Sequence, residues 1–194
     1  MLKNRELIAC LNGILLPLLF LMPVSGWAEE CANSMGCKIP VTFIGTYLES
    51  TCEVNIDGRG VESNVTLPTI ATANLHRDGD EAGSRLFQIG LRSCPSGKNI
   101  KLRFVSAGTG ADGSTGNLVN TSGEGMSRGV QVRLRNSGGK QLQIDDNNSF
   151  QQYVIPSSGE EVTHYYEASY YAKGTGTTTP GLVNAIAGVE LVYN

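Results

Sequence analysis

Histidine is scarce in this chain of 194 residues, and the motifs that surround catalytic or metal-binding histidines are missing. The two histidines, His76 and His164, have no G-x-S-x-G nucleophile motif or C-x-x-C pair to support them. The adjacent Glu160 and Glu161 are typical of a solvated turn rather than of a paired acid and base. A G-x-G-x-x-G triplet begins at Gly108, but it leads into more glycine instead of a helix. We therefore expect no enzyme, no metal ion and no cofactor.

Helical periodicity is also lacking. Beyond the N-terminal segment, no window keeps apolar residues three or four positions apart over three turns. Short runs instead alternate apolar and polar residues, and the 24 glycines and 7 prolines supply the turns between them. This pattern predicts an all-β sandwich. The apolar members of the clearest runs are Phe87, Ile89 and Leu91; Ile100, Leu102 and Phe104; Val130, Val132 and Leu134; and Tyr166, Ala168, Tyr170 and Ala172.

Residues 1–28 have the features of a secretory signal peptide. Lys3 and Arg5 precede an apolar run over residues 14–22, and small residues at 26–28 offer a cleavage point. The alternative is a membrane anchor, but Pro17 interrupts the run, which is shorter than the roughly 20 residues that span a bilayer. Removal of 28 residues leaves 166, enough for one domain with a core. The net charge then falls from −3 to −4, which does not favour a nucleic-acid partner.

Export to an oxidising compartment favours disulfides over reduced thiols. Four cysteines follow the signal peptide, and an even number in an exported chain predicts bridges. Zinc is the competing interpretation, although no pair has the tight spacing of a zinc site. These cysteines are Cys31, Cys37, Cys52 and Cys94.

The last ten residues, AIAGVELVYN, alternate strictly, as a half-buried strand does. They follow, in order, the segments VTFIGTYLESTCEV, VTLPTIATANL and RLFQIGLRSC, and they end the segment YEASYYAKGTGTTTPGLVNAIAGVELVY. In this order, after a signal peptide, the chain resembles the pilin subunits of chaperone-usher fimbriae, such as the type 1 and P fimbriae of Gram-negative bacteria. The resemblance covers nearly all of the chain beyond residue 28.

The resemblance implies an incomplete immunoglobulin-like sandwich that lacks its last strand and is completed by donor-strand exchange. It implies a structural subunit of a bacterial surface fimbria, or pilus, that serves cell adhesion and is exported through the periplasm. The implied partners are a periplasmic chaperone, an outer-membrane usher and neighbouring pilin subunits.

The resemblance also assigns roles to particular residues. A disulfide would join Cys52 and Cys94. The final strand would border a groove bound first by the chaperone, with a glycine fourteenth from the end and an aromatic residue second from the end. The residues of this groove would be Gly181, Ala185, Ala187, Val189, Leu191 and Tyr193.

Residues 29–40 would form the N-terminal extension donated to a neighbouring subunit, and residues 41–194 the pilin domain. The extension alternates so that four side chains share one face: Met35, Cys37, Ile39 and Val41. Gly36 belongs to the other face, although donor strands of the family usually present a glycine to the groove, so the register stays open. In an extended strand the Cα atoms of Cys31 and Cys37 lie about 20 Å apart, beyond the roughly 7 Å limit of a disulfide. A donor strand and a Cys31–Cys37 bridge are therefore mutually exclusive.

Two alternatives remain. The chain could be a minor or tip-proximal fimbrial subunit with a ligand site of its own in the glycine-rich loops. It could also be a secreted immunoglobulin-like enzyme or inhibitor, although no motif supports that class.

Overall fold

A computed structural model describes residues 51–194, which form two β-sheets. The strands in this range, in chain order, are β1 (Glu53–Ile56), β2 (Glu81–Arg92), β3 (Asn99–Ser106), β4 (Ala111–Asp112), β5 (Asn117–Val119), β6 (Val130–Asn136), β7 (Gln151–Val154), β8 (Val162–Ala172) and β9 (Ala187–Tyr193). One 3-10 turn, Thr72–Leu75, lies between β1 and β2. No helix in this range is long and apolar enough to cross a membrane.

The larger sheet has the strand order β1-β2-β8-β6-β5-β4, and the smaller sheet has the order β7-β3-β9. Every pairing between these strands is antiparallel. Between Ala82 and Arg85 the pairing of β2 with β8 shifts register. The glycine-rich stretch between β3 and β5 is not all loop, because it contains the two-residue strand β4. The predicted all-β sandwich is confirmed.

The core lies between the two sheets and consists of the inward side chains that the alternation predicts. All of the residues named above for the four clearest runs are buried except Tyr170, which is half-buried. Two wholly buried tyrosines meet in this core, where the hydroxyls of Tyr153 and Tyr166 lie 2.8 Å apart. Tyr153 also donates a hydrogen bond to the carbonyl of Ile89 at 2.9 Å. Burial raises the pKa of both phenols, so both stay neutral.

A disulfide joins Cys52, just before β1, to Cys94, just after β2, as the resemblance implied. It closes a loop of 42 residues, which stabilises the fold by about 4 kcal/mol in the loop-entropy description. The bridge ties the edge strand of the larger sheet to its neighbour. The signal peptide and the donor strand, with Met35, Cys37, Ile39 and Val41, lie outside the described residues, and so does Cys31.

Ion pairs lie on the outer face of the larger sheet. Arg133 and Arg135 each place a guanidinium nitrogen 2.6 Å from the same carboxylate oxygen of Glu81. Burial raises the pKa of Glu81, but the hydrogen bonds from Arg135 and Arg133 outweigh it and hold the pKa below its usual value. These ion pairs connect β2 with β6 across the intervening strand β8.

Candidate functional site

Strand β9 lies at the edge of the smaller sheet and has one strand neighbour, β3, among the described residues. The amide of Asn194 donates to the carbonyl of Asn99 at 3.0 Å, and the amide of Ala107 donates to that of Ile186 at 3.4 Å. Hydrogen-bonded pairs recur at every second residue of an antiparallel ladder, so the even-numbered residues of β9 point their backbone groups at β3. The odd-numbered residues point theirs at the opposite edge, where no described strand lies. They are Ala187, Val189, Leu191 and Tyr193.

The same odd-numbered residues turn their side chains into the sandwich. All four are half-buried and pack against the core. Val183 and Ala185, in the segment that leads to β9, also pack against it. An apolar inner face and an open backbone edge therefore coincide on one strand, as at a sheet that lacks a member.

The segment before β9 forms backbone hydrogen bonds with a loop, residues 120–127, instead of with β3. β9 begins at Ala187, so Gly181 and Ala185 precede it. The amide of Leu182 donates to the carbonyl of Gly125 at 2.9 Å, and the amide of Ser127 donates to the carbonyl of Leu182 at 2.8 Å. Because these loop residues take its hydrogen bonds, the segment runs beside the 120–127 loop rather than beside β3.

Gly181 is required where this segment meets the loop. Its φ of +152° disfavours other residues, and a Cβ added there would lie 2.5 Å from the backbone nitrogen of Ser127. The contact is with backbone atoms, which cannot rotate away. This close approach is a steric reason for glycine at the fourteenth position from the end of the chain.

Residues 61–70 run past the opposite side of the same opening without joining a strand. Their backbone makes no hydrogen bond to another residue of the range 51–194. Ser63, Val65 and Leu67 are partly buried and alternate with the exposed Asn64 and Thr66. This segment forms a second wall of the site, and the sequence pattern does not indicate that role.

An open groove of about 960 Å³ lies between the two walls. One wall is formed by residues 63–67 and 69–72, and the other by residues 180–187 with Val189. The floor includes Phe87, Ile89, Phe104, Val132, Leu134 and Ala168. The floor is apolar, so the groove suits an extended segment with apolar side chains on one face.

Four of the six residues assigned to the groove from the sequence line it: Gly181, Ala185, Ala187 and Val189. Leu191 and Tyr193 pack against the core but do not line the groove. The hydroxyl of Tyr193 accepts a hydrogen bond from the amide of Cys52 at 2.8 Å. It thereby connects the edge strand of the smaller sheet to the disulfide-linked start of the larger one.

The described residues form no cluster of metal ligands. No group of three His, Cys, Asp or Glu residues within 51–194 is arranged to hold a metal ion. His164 packs edge-on against Tyr153, with ring centroids 4.5 Å apart, and burial lowers its pKa. It is a half-buried residue of β8.

Comparison with known proteins identifies the family. Residues 41–194 match the family model described as fimbrial protein. The chain belongs to this family. It is 32% identical over 161 residues to the major fimbrial subunit SMF-1 of Stenotrophomonas maltophilia, with 79% of this chain and 91% of that protein covered. It is 30% identical over 164 residues to the minor fimbrial subunit HifD of Haemophilus influenzae, with 79% and 73% covered.

The fold is also that of known pilins. The crystal structure of the P pilus rod subunit PapA matches with a TM-score of 0.56 at 16% identity, over 73% of this chain and 99% of that chain. The resemblance to chaperone-usher pilins and the immunoglobulin-like fold class are therefore confirmed. This pilin is a fimbrial subunit of a surface pilus that assembles with other subunits. The family is structural, which confirms the prediction that the chain is not an enzyme.

Proposed function

We propose that this pilin polymerises by donor-strand exchange, in which the N-terminal extension of another copy fills the groove beside β9. The observation that carries the proposal is the coincidence, on β9, of an open backbone edge with apolar side chains facing inward. An incoming strand would satisfy the first by hydrogen bonds and the second by burial. The resulting fimbria would serve cell adhesion.

The dimensions of the groove suit the extension. Four inward positions, Val183, Ala185, Ala187 and Val189, follow one wall, and at about 3.3 Å per residue they span about 20 Å. The extension offers four alternating side chains: Met35, Cys37, Ile39 and Val41. Their burial is worth on the order of 5 to 10 kcal/mol before ordering costs. Together with a row of backbone hydrogen bonds, this supports a persistent polymer.

A subunit with this edge needs a temporary partner before assembly. Unpaired backbone groups beside an apolar groove favour aggregation in water. We propose that a periplasmic chaperone lends a strand to the groove, and that the extension of the next subunit replaces it at an outer-membrane usher. The signal peptide over residues 1–28 would direct the export that precedes these steps. The similarity to HifD, a minor subunit, favours a minor or tip-proximal role as the second candidate.

Chemical denaturation tests the proposal. The chain 29–194 is compared with the same chain carrying residues 29–43 after Asn194 through a flexible linker, with Cys31→Ser in the appended copy to prevent its bridge. We expect a large rise in the urea midpoint, because the appended strand completes the sheet. The control carries Ile39→Asp in the appended copy, which places a charge in the groove and should remove the gain. An unmodified chain that is already stable and monomeric, with no gain from the strand, would overturn the proposal.

A further inference from the structure

The inward side chains on the β9 side of the groove change size along the chain. In the ladder between β9 and β3, Val189 pairs with Phe104, whereas the next inward position, Ala187, pairs with Ser106. The inward position before that, Ala185, is also small. The inner face of the smaller sheet therefore has no bulky side chain at these two alanines, which we call the alanine pair.

The groove is open where these side chains are small. Both members of the alanine pair line it and are half-buried. At the other end of β9 the inward side chains are large, and Leu191 and Tyr193 pack against the core without lining the groove. An alanine lacks the methyl groups that a valine or a leucine would project between the walls. The alanine pair therefore leaves space in the groove for the side chains of another segment.

The backbone beside the alanine pair is also available to another segment. Asn184 uses its backbone within the domain, because its carbonyl accepts from the amide of Thr121 at 2.9 Å and its amide donates to the side chain of Asn120 at 2.7 Å. The backbone of Ala185, in contrast, makes no hydrogen bond with another residue of the range 51–194. The backbone groups of Ala187 point away from β3. A strand that pairs with this edge would place its inward side chains beside both alanines.

We propose that Ala185 and Ala187 are specificity-determining residues of the groove, whose small side chains make room for Ile39 in the extension of a second copy. This inference rests on the proposed function. The four inward positions of the wall match the four alternating side chains of the extension. The alanine pair holds the two middle positions, so it faces Cys37 and Ile39 whichever way the strand runs. Ile39 is the larger of these two and fills more of the space.

The space beside the alanine pair makes the groove selective for the size of the incoming side chain. A strand with a small residue at its centre would leave a cavity, which is unfavourable. A larger residue in place of either alanine would crowd Ile39, which is also unfavourable. The groove therefore favours the extension of this chain over an extension with a small side chain at its centre.

The test is a double-mutant cycle of urea midpoints in the chain completed by the appended strand. Ile39→Ala in the appended copy should lower the midpoint by about 1–2.5 M, because it leaves a cavity. Ala185→Val and Ala187→Val are tested separately, because the direction of the strand decides which alanine lies opposite Ile39. The opposite one should lower the midpoint by about 0.5–1.5 M through crowding. Combined with Ile39→Ala, the same valine should raise the midpoint above that of Ile39→Ala alone, because it fills the cavity.

The matched control is Ala111→Val in β4, because Ala111 packs against the core but does not line the groove. Its effect should add to that of Ile39→Ala without coupling. In the chain without the appended strand, the valine at the alanine pair should leave the midpoint unchanged or raise it, since no side chain is crowded and valine favours a strand.

Two results would overturn the inference. The first is additivity of Ile39→Ala with both Ala185→Val and Ala187→Val, and the second is an equal loss from the valine with and without the appended strand. The cycle itself needs only the completed chain, so it stays decisive if the chain without the strand is too unstable to measure. If the strand gives the wild-type chain no gain at all, the proposed function itself fails.

Discussion

Replacing Gly181 with alanine tests whether its close approach to the 120–127 loop holds one wall of the groove in place. The new Cβ would lie 2.5 Å from the nitrogen of Ser127, 2.7 Å from the carbonyl carbon of Met126 and 2.8 Å from the oxygen of Gly125. These are backbone atoms, so the segment itself must move away. Movement would disrupt the two hydrogen bonds that Leu182 makes with this loop.

The cost follows from these contacts. An unfavourable φ contributes about 1–3 kcal/mol, and each backbone hydrogen bond about 0.5–1.5 kcal/mol. We expect Gly181→Ala to lower the free energy of unfolding by about 2–6 kcal/mol. At a slope of about 2 kcal/mol per molar urea, the midpoint falls by about 1–3 M.

The assay is urea denaturation of the chain completed by the appended strand, followed by far-ultraviolet circular dichroism. The matched control is Gly176→Ala, because Gly176 has a φ of +68° but no atom within 4 Å of an added Cβ. It should show only the backbone cost of about 1–2 kcal/mol. Equal losses in the two variants would refute the argument from close approach.

Two further variants test single side chains, Tyr193 and His164. Tyr193→Phe removes the acceptor for the amide of Cys52 and should lower the free energy of unfolding by about 0.5–1.5 kcal/mol. Tyr165→Phe, at a residue that is 57% exposed, is its control, and equal effects would argue against the connection. Burial lowers the pKa of His164 from 6.5, so the unfolded chain binds its proton more readily. Stability should therefore be greatest above pH 6.5 and fall as the pH drops towards the folded pKa; His164→Gln should flatten this slope in urea midpoints, and an unchanged slope would contradict the assignment.

The sequence alone predicts the inward side chains of the long strands, because a period of two needs only local information. It does not predict β4, since two residues between glycine-rich turns carry too little pattern. The pairing of Cys52 with Cys94 came from the family resemblance, and the geometry of the described fold explains it by the adjacency of β1 and β2.

Only one of the two walls of the groove is predictable from the sequence. The alternation of β9 is local and regular, whereas Val65 and Leu67 are two apolar positions that stop at Pro68. Their role depends on lying across the opening from a strand more than 100 residues later, which no local pattern encodes. The sequence also gives no sign that the buried hydroxyl of Ser63 lacks a hydrogen-bond partner, because that can be seen only by counting partners in three dimensions.

The proposed donor-strand exchange requires the two walls of the groove to be held in place before a strand enters between them. At one end, the hydroxyl of Tyr193 connects β9 to Cys52 at the start of β1, and the disulfide holds Cys52 to Cys94 at the end of β2. At the other end, Gly181 allows the segment before β9 to press against the 120–127 loop, where Asn120 donates to the carbonyls of Ser127 and Leu182 at 2.7 and 3.1 Å. Between these anchors the wall presents apolar side chains and backbone groups of β9 that point away from β3. Because both anchors lie within the described domain, the proposed donor strand would meet a wall that is already held in place, which reduces the ordering cost of binding.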